Sequence, residues 1–537
     1  MELTSLISGL SDPAAYPAGV QNVELRQTHI SVVFLTEEFA FKIRKPVKFS
    51  FLDFSSLEKR HFDCCREVEL NQRLAPGVYL GVVPIVQREG RIHVGGGGEP
   101  VEWAVQMRRL PENATLKHQL LQDDVGADLF KVLGRRLATF HAGAACSSQI
   151  AEFAKYEAVA RNVLENLNSQ QANGSPASER TVQTRIAELT RQRLEEHRDL
   201  IEQRAARGVP RDTHGDLRLD HVYYFPECTP PADLCIVDCI EFNDGFRYAD
   251  PVSDIAFLIM DLKFEGRSDL AQVQANEYFL VTDDSEGRQL LSFYVAYRAA
   301  VRAKVSTLES VEDEIPESER SNAIVSARAH WLLTLTELEV PSRRPCLVLV
   351  GGLQGTGKST LARGLAEIAG FSVIRTDVVR KELAGISTEP SSDRNKRDDI
   401  YSQDWTERTY SECLRRAVEL LQRGARVIVD GTFCREQYRR RFLDAAARLA
   451  LPGLFLNCQA DPRLIQRRLD ERTGDVSDAN WDVYKAAASK WDPAGKPTAR
   501  TMTVIDTSQS VPDAISSAAN ILRQSELLEP LMEEFAK

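Results

Sequence analysis

The sequence predicts an α+β domain followed by an α/β domain that contains a parallel sheet. Its 537 residues exceed what one hydrophobic core usually organises. Segments near the N-terminus alternate in polarity like antiparallel strands, whereas later segments are continuous β-branched runs that precede helical patterns. A proline-rich basic segment, 339–345, separates the two patterns. We therefore predict one domain over 1–341, a second over 342–520, and an acidic helical tail over 521–537.

The composition excludes several classes of function. The net charge of −11 excludes a protein-wide basic field for nucleic acid or membranes. No apolar run approaches the roughly 18 residues of a membrane span, and the first ten residues lack a signal-peptide pattern. The ten cysteines have no metal-type spacing, which suits a reducing compartment. We predict a cytoplasmic protein without a membrane partner.

The segment 347–369 begins as an apolar run, passes through glycines and continues as an amphipathic pattern, which predicts strand, loop and helix. Its glycines and its Lys-Ser pair have the spacing of a P-loop, or Walker A motif, whose backbone N–H groups surround phosphates. We expect Lys358 to reach the β- and γ-phosphates of ATP and Ser359 to ligate Mg²⁺. A plain glycine-rich turn would not explain the Lys-Ser pair. The predicted nucleotide-binding residues are Gly352, Gln354, Gly355, Thr356, Gly357, Lys358, Ser359 and Thr360.

Two carboxylates follow later strands of the same domain. Asp377 and Arg380 lie three residues apart in a predicted helix, after a short strand. Asp377 could merely complement the helix dipole, but open α/β sheets bind ligands at the carboxyl ends of their strands. We therefore predict that Asp377 faces the acceptor. Asp430 ends a buried strand over 426–429, and we predict it as a metal-side carboxylate.

Arginines are concentrated in two predicted helices. Arg468 and Arg472 align on one face of the helix over 463–472. They could form a solvated surface, but in a small kinase they would form a lid that neutralises the transferring phosphate. Four further arginines lie in the segment 435–441. They are compatible with a nucleic-acid acceptor, although the net charge of −11 argues mildly against such an acceptor.

The N-terminal domain carries a lysine and glutamates in a characteristic order. Residues 28–46 alternate as two short strands, which places Lys42 on the face opposite Phe41. The helix predicted over 57–74 contains Glu67 and Glu69. Kinases hold ATP phosphates with such a lysine and a helical glutamate, although surface residues of these types are usually solvated.

Further along, His214-Gly215-Asp216 precedes an apolar strand that ends at Asp238. With these residues, the chain from about 20 to 310 resembles aminoglycoside phosphotransferase-like kinases. The resemblance implies a bilobal protein-kinase-like fold in which Asp216 accepts the proton of a substrate hydroxyl and Asp238 binds magnesium. It also implies that the segment 250–256 supports the catalytic loop. Its implied nucleotide-binding residues are Lys42, Glu67 and Met107, with Lys45 and Glu69 as alternates.

This domain departs from the family pattern in three ways. His221 occupies the position where the family has a metal-binding asparagine, so it becomes a candidate metal ligand, yet imidazole suits Mg²⁺ poorly. The first hairpin, 28–32, has no glycine-rich loop, and Glu241 lies close after Asp238. We therefore expect this domain to bind nucleotide but to transfer phosphate weakly, or only to a specialised acceptor.

The chain from about 345 to 510 resembles P-loop kinases related to polynucleotide kinase, zeta toxins, gluconate kinase and chloramphenicol phosphotransferase. This resemblance implies that Asp377 orients or deprotonates the acceptor hydroxyl and that Arg380 contacts the acceptor or its phosphate. Together the two halves resemble bacterial fusion proteins of an aminoglycoside phosphotransferase-like domain and an ATP-binding domain. We expect the helix over 323–338, between them, to pack against the first domain.

The predicted function is ATP-dependent phosphate transfer. The P-loop domain would move the γ-phosphate of ATP to a hydroxyl of a small or nucleotide-like acceptor, with the N-terminal domain as a second kinase-like module. One alternative is an ATP-dependent regulatory or interaction protein whose N-terminal domain is not catalytic. Another is a kinase that acts on the 5′ end of nucleic acid.

Overall fold

The structure is a computed structural model that describes residues 2–49, 52–168, 177–312, 315–386, 400, 402–471 and 481–530. It divides into two compact units. The first comprises Met1–Arg161, His197–Leu262 and Asp269–Tyr294, and the second comprises Asn162–Glu196, Lys263–Ser268 and Val295–Lys537. These units do not coincide with a division at residue 341, because several helical stretches before that residue belong to the second unit.

The strands are β1 (Glu24–Gln27), β2 (Ser31–Leu35), β3 (Phe39–Arg44), β4 (Tyr79–Arg88), β5 (Arg91–Val94), β6 (Pro100–Arg108), β7 (Arg211–Asp212), β8 (Val222–Tyr224), β9 (Leu234–Ile236), β10 (Tyr248–Ala249), β11 (Cys346–Gly351), β12 (Ser372–Arg375), β13 (Arg426–Asp430), β14 (Gly453–Gln459) and β15 (Met502–Asp506). The helices are α1 (Leu3–Leu10), α2 (Leu57–Asn71), α3 (Leu116–Gln122), α4 (Ala127–Gly143), α5 (Ser148–Glu152), α6 (Tyr156–Asn168), α7 (Ala177–Ala206), α8 (Asp244–Arg247), α9 (Pro251–Phe264), α10 (Ser268–Thr282), α11 (Ser285–Glu309), α12 (Glu317–Leu338), α13 (Lys358–Ala369), α14 (Thr376–Leu383), α15 (Gln403–Gln422), α16 (Glu436–Arg448), α17 (Pro462–Asp470), α18 (Trp481–Ala488), α19 (Lys496–Thr501) and α20 (Val511–Gln524). Within the described residues, no helix has the length and apolar character that crossing a membrane requires.

The first unit contains a six-stranded antiparallel sheet in the order β1-β2-β3-β6-β4-β5. Successive side chains of a strand point to opposite faces, and β3 shows this alternation clearly. Phe41 and Ile43 are buried with Leu10 of α1 in one apolar cluster. Lys42 and Arg44 point instead toward α2. The two faces of one strand therefore separate the apolar core from a charged site.

Helix α9 packs beneath the loops that follow the six-stranded sheet in the chain, and its Asp254 contacts the loop at 214–215. Nearly all of its residues are buried, including the polar Asp254 and Ser253. Two short antiparallel pairs, β8 with β9 and β7 with β10, lie around the loop that follows β7. This arrangement and the antiparallel sheet agree with the predicted kinase-like fold.

The second unit is built on a five-stranded sheet in the order β12-β13-β11-β14-β15, in which every neighbouring pair is parallel. All residues of β11 and β13 are buried, because helices cover both faces of a parallel sheet. The loop after β11 lies at the carboxyl end of a central strand, which is where such sheets bind ligands. The predicted α/β fold with a parallel sheet is confirmed.

Helix α12 belongs to the second unit. Its residues Trp331, Leu332 and Leu335 are buried in the same apolar cluster as Leu347 and Val427 of the parallel sheet. The sequence showed an apolar helix after the first domain, but it contained no sign of the surface that would cover it. The same cluster contains Ile186 and Ala296, which precede residue 341, so α12 packs both on helices of the predicted first domain, 1–341, and on the parallel sheet.

Leu335→Ala should lower the free energy of unfolding of the second unit by about 2–5 kcal/mol, because it empties a buried leucine site. Leu335 is 4% exposed, and its Cδ2 would lie 2.8 Å from a Cβ added to Gly424. The matched control is Leu308→Ala in α11, where the side chain is 51% exposed and the change should stay within about 0.5 kcal/mol. Differential scanning calorimetry of the full chain provides the measurement, and equal shifts for both variants would contradict the packing.

The segment after residue 520 packs onto the parallel-sheet unit instead of forming a separate tail. Leu522, Leu527 and Leu528 are buried in an apolar cluster with residues of β11 and α13. Arg426 Nη2 donates to the Leu527 carbonyl at 2.8 Å, and Arg344 Nη1 lies 2.9 Å from a carboxylate oxygen of Glu526. The apolar residues of this segment explain the packing, since burying them against the sheet unit removes them from water. Residues 531–537 lie outside the described residues.

Candidate functional sites

The loop between β11 and α13 is shaped by glycines with positive φ angles. Gly352, Gly355 and Gly357 have φ values of 137°, 78° and 82°. A Cβ on Gly352 would lie 2.4 Å from the Cys458 carbonyl oxygen, so this position requires glycine. The loop thus brings the N-terminus of α13 close to the ends of the strands.

Three polar groups meet beside this loop. The Lys358 ammonium donates to the Leu353 carbonyl at 2.8 Å. The Ser359 hydroxyl donates to Asp430 Oδ2 at 2.5 Å, and Arg375 Nε lies 3.5 Å from the same oxygen. Burial raises the pKa of Asp430, although Lys358 and Ser359 act in the opposite direction. A hydroxyl and a carboxylate are ligands that Mg²⁺ accepts, so these residues fit such an ion.

Asp377 and Arg380 have different surroundings. Asp377 lies half-buried in the first turn of α14, and its charge acts on Asp430. Arg380 is 7% exposed, and its Nη1 donates to the Ile400 carbonyl at 2.7 Å and contacts Thr406 Oγ1 at 3.3 Å. Arg380 therefore binds the segment that leads into α15. Its contact with an acceptor stays a prediction.

Arg468 lies over the phosphate loop. Its Nη2 donates to the Thr507 carbonyl at 2.9 Å, and its Nη1 would lie 3.9 Å from a Cβ on Gly357. Thr507 Oγ1 donates to the Thr356 carbonyl at 2.7 Å. Thr507 was missed by the sequence reasoning, and the only signal was its position directly after a predicted strand. It connects Arg468 to the loop.

The other predicted residues of this domain differ in exposure. Gln354 has a buried Oε1 for which the described residues provide no hydrogen-bond partner, and Thr360 is exposed on α13. Arg472, predicted as the second lid arginine, lies outside the described residues.

The four arginines of 435–441 are engaged with protein groups. Arg439 is fully buried and donates to backbone carbonyls, including that of Phe433 at 2.7 Å. The other three form ion pairs, which are Arg435 with Asp492, Arg440 with Asp444, and Arg441 with Glu407. These arginines stabilise the domain itself and do not form a free basic surface.

In the first unit, Lys42 joins the predicted glutamate and aspartate. Its Nζ lies 2.8 Å from Glu67 Oε1 and 3.1 Å from Asp238 Oδ1. Lys42 holds the pKa of Asp238 below its usual value. Glu69 instead pairs with Arg66 on the exposed side of α2. Met107 lies in β6, where it packs half-buried against a small apolar cluster.

Arg44 is a central residue of this site that the sequence reasoning missed. It is 1% exposed, with Nε 2.6 Å from Asp63 Oδ2 and Nη2 2.6 Å from Glu67 Oε2. It also contacts Glu241 and donates to Ser31 Oγ at 2.8 Å. Glu67 is thus held between Lys42 and Arg44. The only sequence signal was the alternation of β3, which places Arg44 on the same face as Lys42.

This buried charge cluster predicts a pH dependence of stability. Burial raises the pKa of Glu241 to about 8; the Arg44 guanidinium opposes this, and the charge of Glu67 adds to it. The folded protein therefore keeps a proton that the unfolded chain, with a carboxyl pKa near 4.3, releases. The resulting stability is fully present below the unfolded pKa and is lost as the pH rises through about 8. Burial lowers the pKa of His214 to about 4, which makes stability rise with pH up to about 6.5.

Of the effects of Glu241 and His214 on stability, only that of Glu241 acts between about pH 6.5 and 8. We expect the stability of the first unit to fall across this window by an amount on the order of 1 kcal/mol. Glu241→Gln should remove most of this fall, whereas Glu69→Gln, on the exposed side of α2, should leave it unchanged. Calorimetric melting temperatures across the window test this, and an unchanged slope in Glu241→Gln would contradict the assignment.

The loop that contains Asp216 is held by buried polar contacts. Asp254 accepts from the backbone N–H groups of His214 at 3.1 Å and Gly215 at 2.8 Å. His141 Nε2 lies 3.0 Å from Asp254 Oδ2, and the other ring nitrogen lies 2.9 Å from the Tyr278 hydroxyl. His141 is therefore a packed structural histidine. Although burial acts in the opposite direction, these hydrogen bonds hold the pKa of Asp254 below its usual value.

His221 lies between the two predicted active-site aspartates. Its Nδ1 lies 2.8 Å from the Asp216 backbone carbonyl and 3.6 Å from Asp216 Oδ2. Its Nε2 lies 3.6 Å from Asp238 Oδ2. The structure therefore brings together Lys42, Glu67, Asp216, His221 and Asp238 in one site.

Comparisons with known proteins match a family model to each of the two domains. Residues 63–291 match the model described as the phosphotransferase enzyme family, and residues 347–491 match one described as an AAA domain. The chain thus contains two domains of kinase families. It belongs to the family in which an aminoglycoside phosphotransferase-like domain precedes a P-loop kinase domain.

Curated relatives match this chain over most of its length. The chain is 34% identical over 473 residues to the uncharacterized protein Rv2004c of Mycobacterium tuberculosis strain H37Rv, over 88% of this chain and 91% of the relative. The same values hold for the uncharacterized proteins MT2060 of M. tuberculosis strain CDC 1551 and Mb2027c of Mycobacterium bovis.

Solved structures show weaker likeness. A gluconokinase from Sinorhizobium meliloti 1021 is 20% identical, covers 34% of this chain and 95% of its own, and has a TM-score of 0.26. A choline/ethanolamine kinase family protein from Mesorhizobium loti is 14% identical, covers 62% of this chain and 99% of its own, and has a TM-score of 0.34.

Proposed function

We propose that the P-loop domain transfers the γ-phosphoryl group of ATP to a hydroxyl of a small-molecule acceptor. The observation that carries this proposal is the meeting of Lys358, Ser359 and Asp430 at the carboxyl ends of β11 and β13, with Asp377 directly after the neighbouring β12. Such a site combines a phosphate loop with a carboxylate that can take a proton from an acceptor.

The residues have separate tasks in this proposal. The backbone N–H groups of the glycine loop and the ammonium of Lys358 bind and orient the phosphates, which accounts for most of the catalysis in phosphate transfer. Asp377 accepts the proton of the hydroxyl. Arg468, above the loop, stabilises the charge of the transferring group. Ser359 and Asp430 would hold Mg²⁺, which neutralises phosphate charge when it is bound.

The arginine contacts support a small acceptor over nucleic acid. Nucleic-acid binding depends on cations that are free to meet phosphates. The arginines of 435–441 are instead paired with carboxylates or buried against carbonyls, as described above. The net charge of −11 acts in the same direction.

The test is acceptor-dependent transfer by the full-length protein. The protein is incubated with ATP labelled in the γ-phosphate and a fractionated cell extract, and labelled products are identified by mass spectrometry. A phosphorylated small molecule supports the proposal. Slow ATP hydrolysis without any product would favour the regulatory alternative, and labelling of a 5′-hydroxyl oligonucleotide would favour the nucleic-acid kinase.

We further propose that the first unit is a second nucleotide-binding module. The ammonium of Lys42, positioned by Glu67, would bind phosphates, and Asp216 would face an acceptor hydroxyl. Because each unit has its own phosphate lysine, Lys42→Ala and Lys358→Ala assign a measured turnover to one unit or the other. A turnover that falls only in Lys42→Ala would contradict the role proposed for the P-loop.

A further inference from the structure

The ring of His221 is held in one orientation by the chain itself. Its Nδ1 lies 2.8 Å from the Asp216 carbonyl oxygen, and a carbonyl oxygen only accepts hydrogen bonds. Nδ1 therefore carries a hydrogen, and in the neutral ring the lone pair is on Nε2. Histidines that bind metals typically have this arrangement, with one nitrogen donating to a carbonyl and the other facing the ion.

The free lone pair faces a carboxylate across a gap. Nε2 lies 3.6 Å from Asp238 Oδ2, which is longer than a hydrogen bond. Metal–nitrogen and metal–oxygen bonds of about 2.0–2.2 Å, at angles near 90–110°, separate two ligand atoms by roughly 3–3.5 Å. The gap is therefore close to the spacing that one shared cation would set.

Asp238 is also held in place. Its other oxygen lies 3.1 Å from the Lys42 ammonium, and its backbone N–H donates to the Tyr79 hydroxyl at 3.1 Å. Its φ angle of 64° lies in the left-handed region. The side chain of Asp238 is 46% exposed and that of His221 is 15% exposed, so the gap can be reached from solvent.

This donor pair does not fit the magnesium ion that the phosphotransferase family implies. Mg²⁺ prefers oxygen ligands, whereas imidazole binds first-row transition metals better. The described residues contain no group of three or more His, Cys, Asp or Glu side chains that could hold a metal ion. An ion at this gap must therefore take its other ligands from nucleotide phosphate and water.

We propose that His221 Nε2 and Asp238 Oδ2 bind a divalent transition-metal ion, such as Mn²⁺, in preference to Mg²⁺ when nucleotide is present. The site lies wholly in the first unit, so the proposal does not depend on phosphate transfer by the P-loop. It rests on nucleotide binding by the first unit, which the test measures separately.

The distribution of histidines allows a direct test in the full-length protein. Eight of the nine histidines lie in the first unit, and the ninth, His330 of α12, is 4% exposed with its Nδ1 2.9 Å from the Ser326 carbonyl oxygen, so we expect no histidine nitrogen of the second unit to bind the metal. Protein labelled with ¹⁵N-histidine is mixed with Mn²⁺ and a non-hydrolysable ATP analogue, and pulsed electron paramagnetic resonance detects ¹⁵N coupled to the ion. We expect coupling in the wild type and in His118→Asn, which changes an exposed histidine, and none in His221→Asn.

Three further measurements make the result decisive. Mg²⁺ should displace Mn²⁺ from His221→Asn at concentrations about tenfold lower than from wild type, since one nitrogen ligand is lost. Asp238→Asn keeps His221 but replaces the carboxylate with an amide, which is a weaker metal ligand, so this variant should also lose the ¹⁵N coupling.

Calorimetric titration of the Lys358→Ala protein with the analogue shows whether the first unit binds nucleotide. Bound nucleotide without ¹⁵N coupling in the wild type, or coupling that persists in His221→Asn, would overturn the proposal.

Discussion

Lys358→Ala is expected to lower phosphate transfer by the full-length protein by about 10²–10³-fold, the scale for losing one group that stabilises transition-state charge. The ammonium lies against the loop carbonyl of Leu353, at the N-terminus of α13, where it would meet the phosphates of ATP. The side chain is half-buried at the loop surface and takes no part in either apolar cluster of its unit. Its removal should therefore change activity far more than stability.

Arg363→Ala is the matched control for this prediction, because Arg363 is an exposed basic residue of the same helix. Initial rates with the identified acceptor and melting temperatures should be measured for both variants. Equal transfer rates in Lys358→Ala and Arg363→Ala would remove Lys358 from the phosphate site. A large drop in the melting temperature of Lys358→Ala would assign it a structural role instead.

Asp377→Asn should lower transfer by about 10²–10⁴-fold while the affinity for ATP stays within a few-fold of wild type. Asparagine keeps the size of the side chain and can still lie in the first turn of α14, but it cannot take a proton. The loss should appear in kcat, because the interaction with the departing proton develops in the transition state.

Glu382→Gln, near the C-terminal end of the same helix, is the control, since it removes a carboxylate that pairs with Arg416 away from the loop. Calorimetry gives the affinity for ATP, and a single-turnover assay gives the rate of transfer. A parallel loss of ATP affinity in Asp377→Asn would place this carboxylate on the metal, next to Asp430, instead of on the acceptor.

The parts that could be predicted from sequence are those in which neighbouring residues carry the information. The P-loop is contiguous, so the strand, the glycines and the Lys-Ser pair are all within one segment. The alternation of β3 placed Lys42 opposite Phe41, and the order of His214-Gly215-Asp216 and Asp238 indicated the kinase-like fold. Strand and helix periodicity is local, which explains why the fold class could be predicted correctly.

Other features depended on contacts between distant segments. Arg44 meets Asp63, Glu67 and Glu241, and only the folded chain brings Glu241 next to β3. Thr507 reaches the phosphate loop from a strand about 150 residues later. No local pattern predicts a partner at such separation, because many residues of the same type compete for it.

The sequence by itself determined two kinase-type domains, their motifs and the order of their candidate site residues. The tertiary structure decided which surfaces those elements cover and which charges they pair. It placed α12 in the apolar cluster of the parallel sheet and turned His221 toward Asp238. It also paired the arginines of 435–441 with carboxylates and backbone carbonyls of the same domain. The physical reason is that burial and charge pairing are set by which elements meet in space, whereas periodicity and loop glycines act within a few residues.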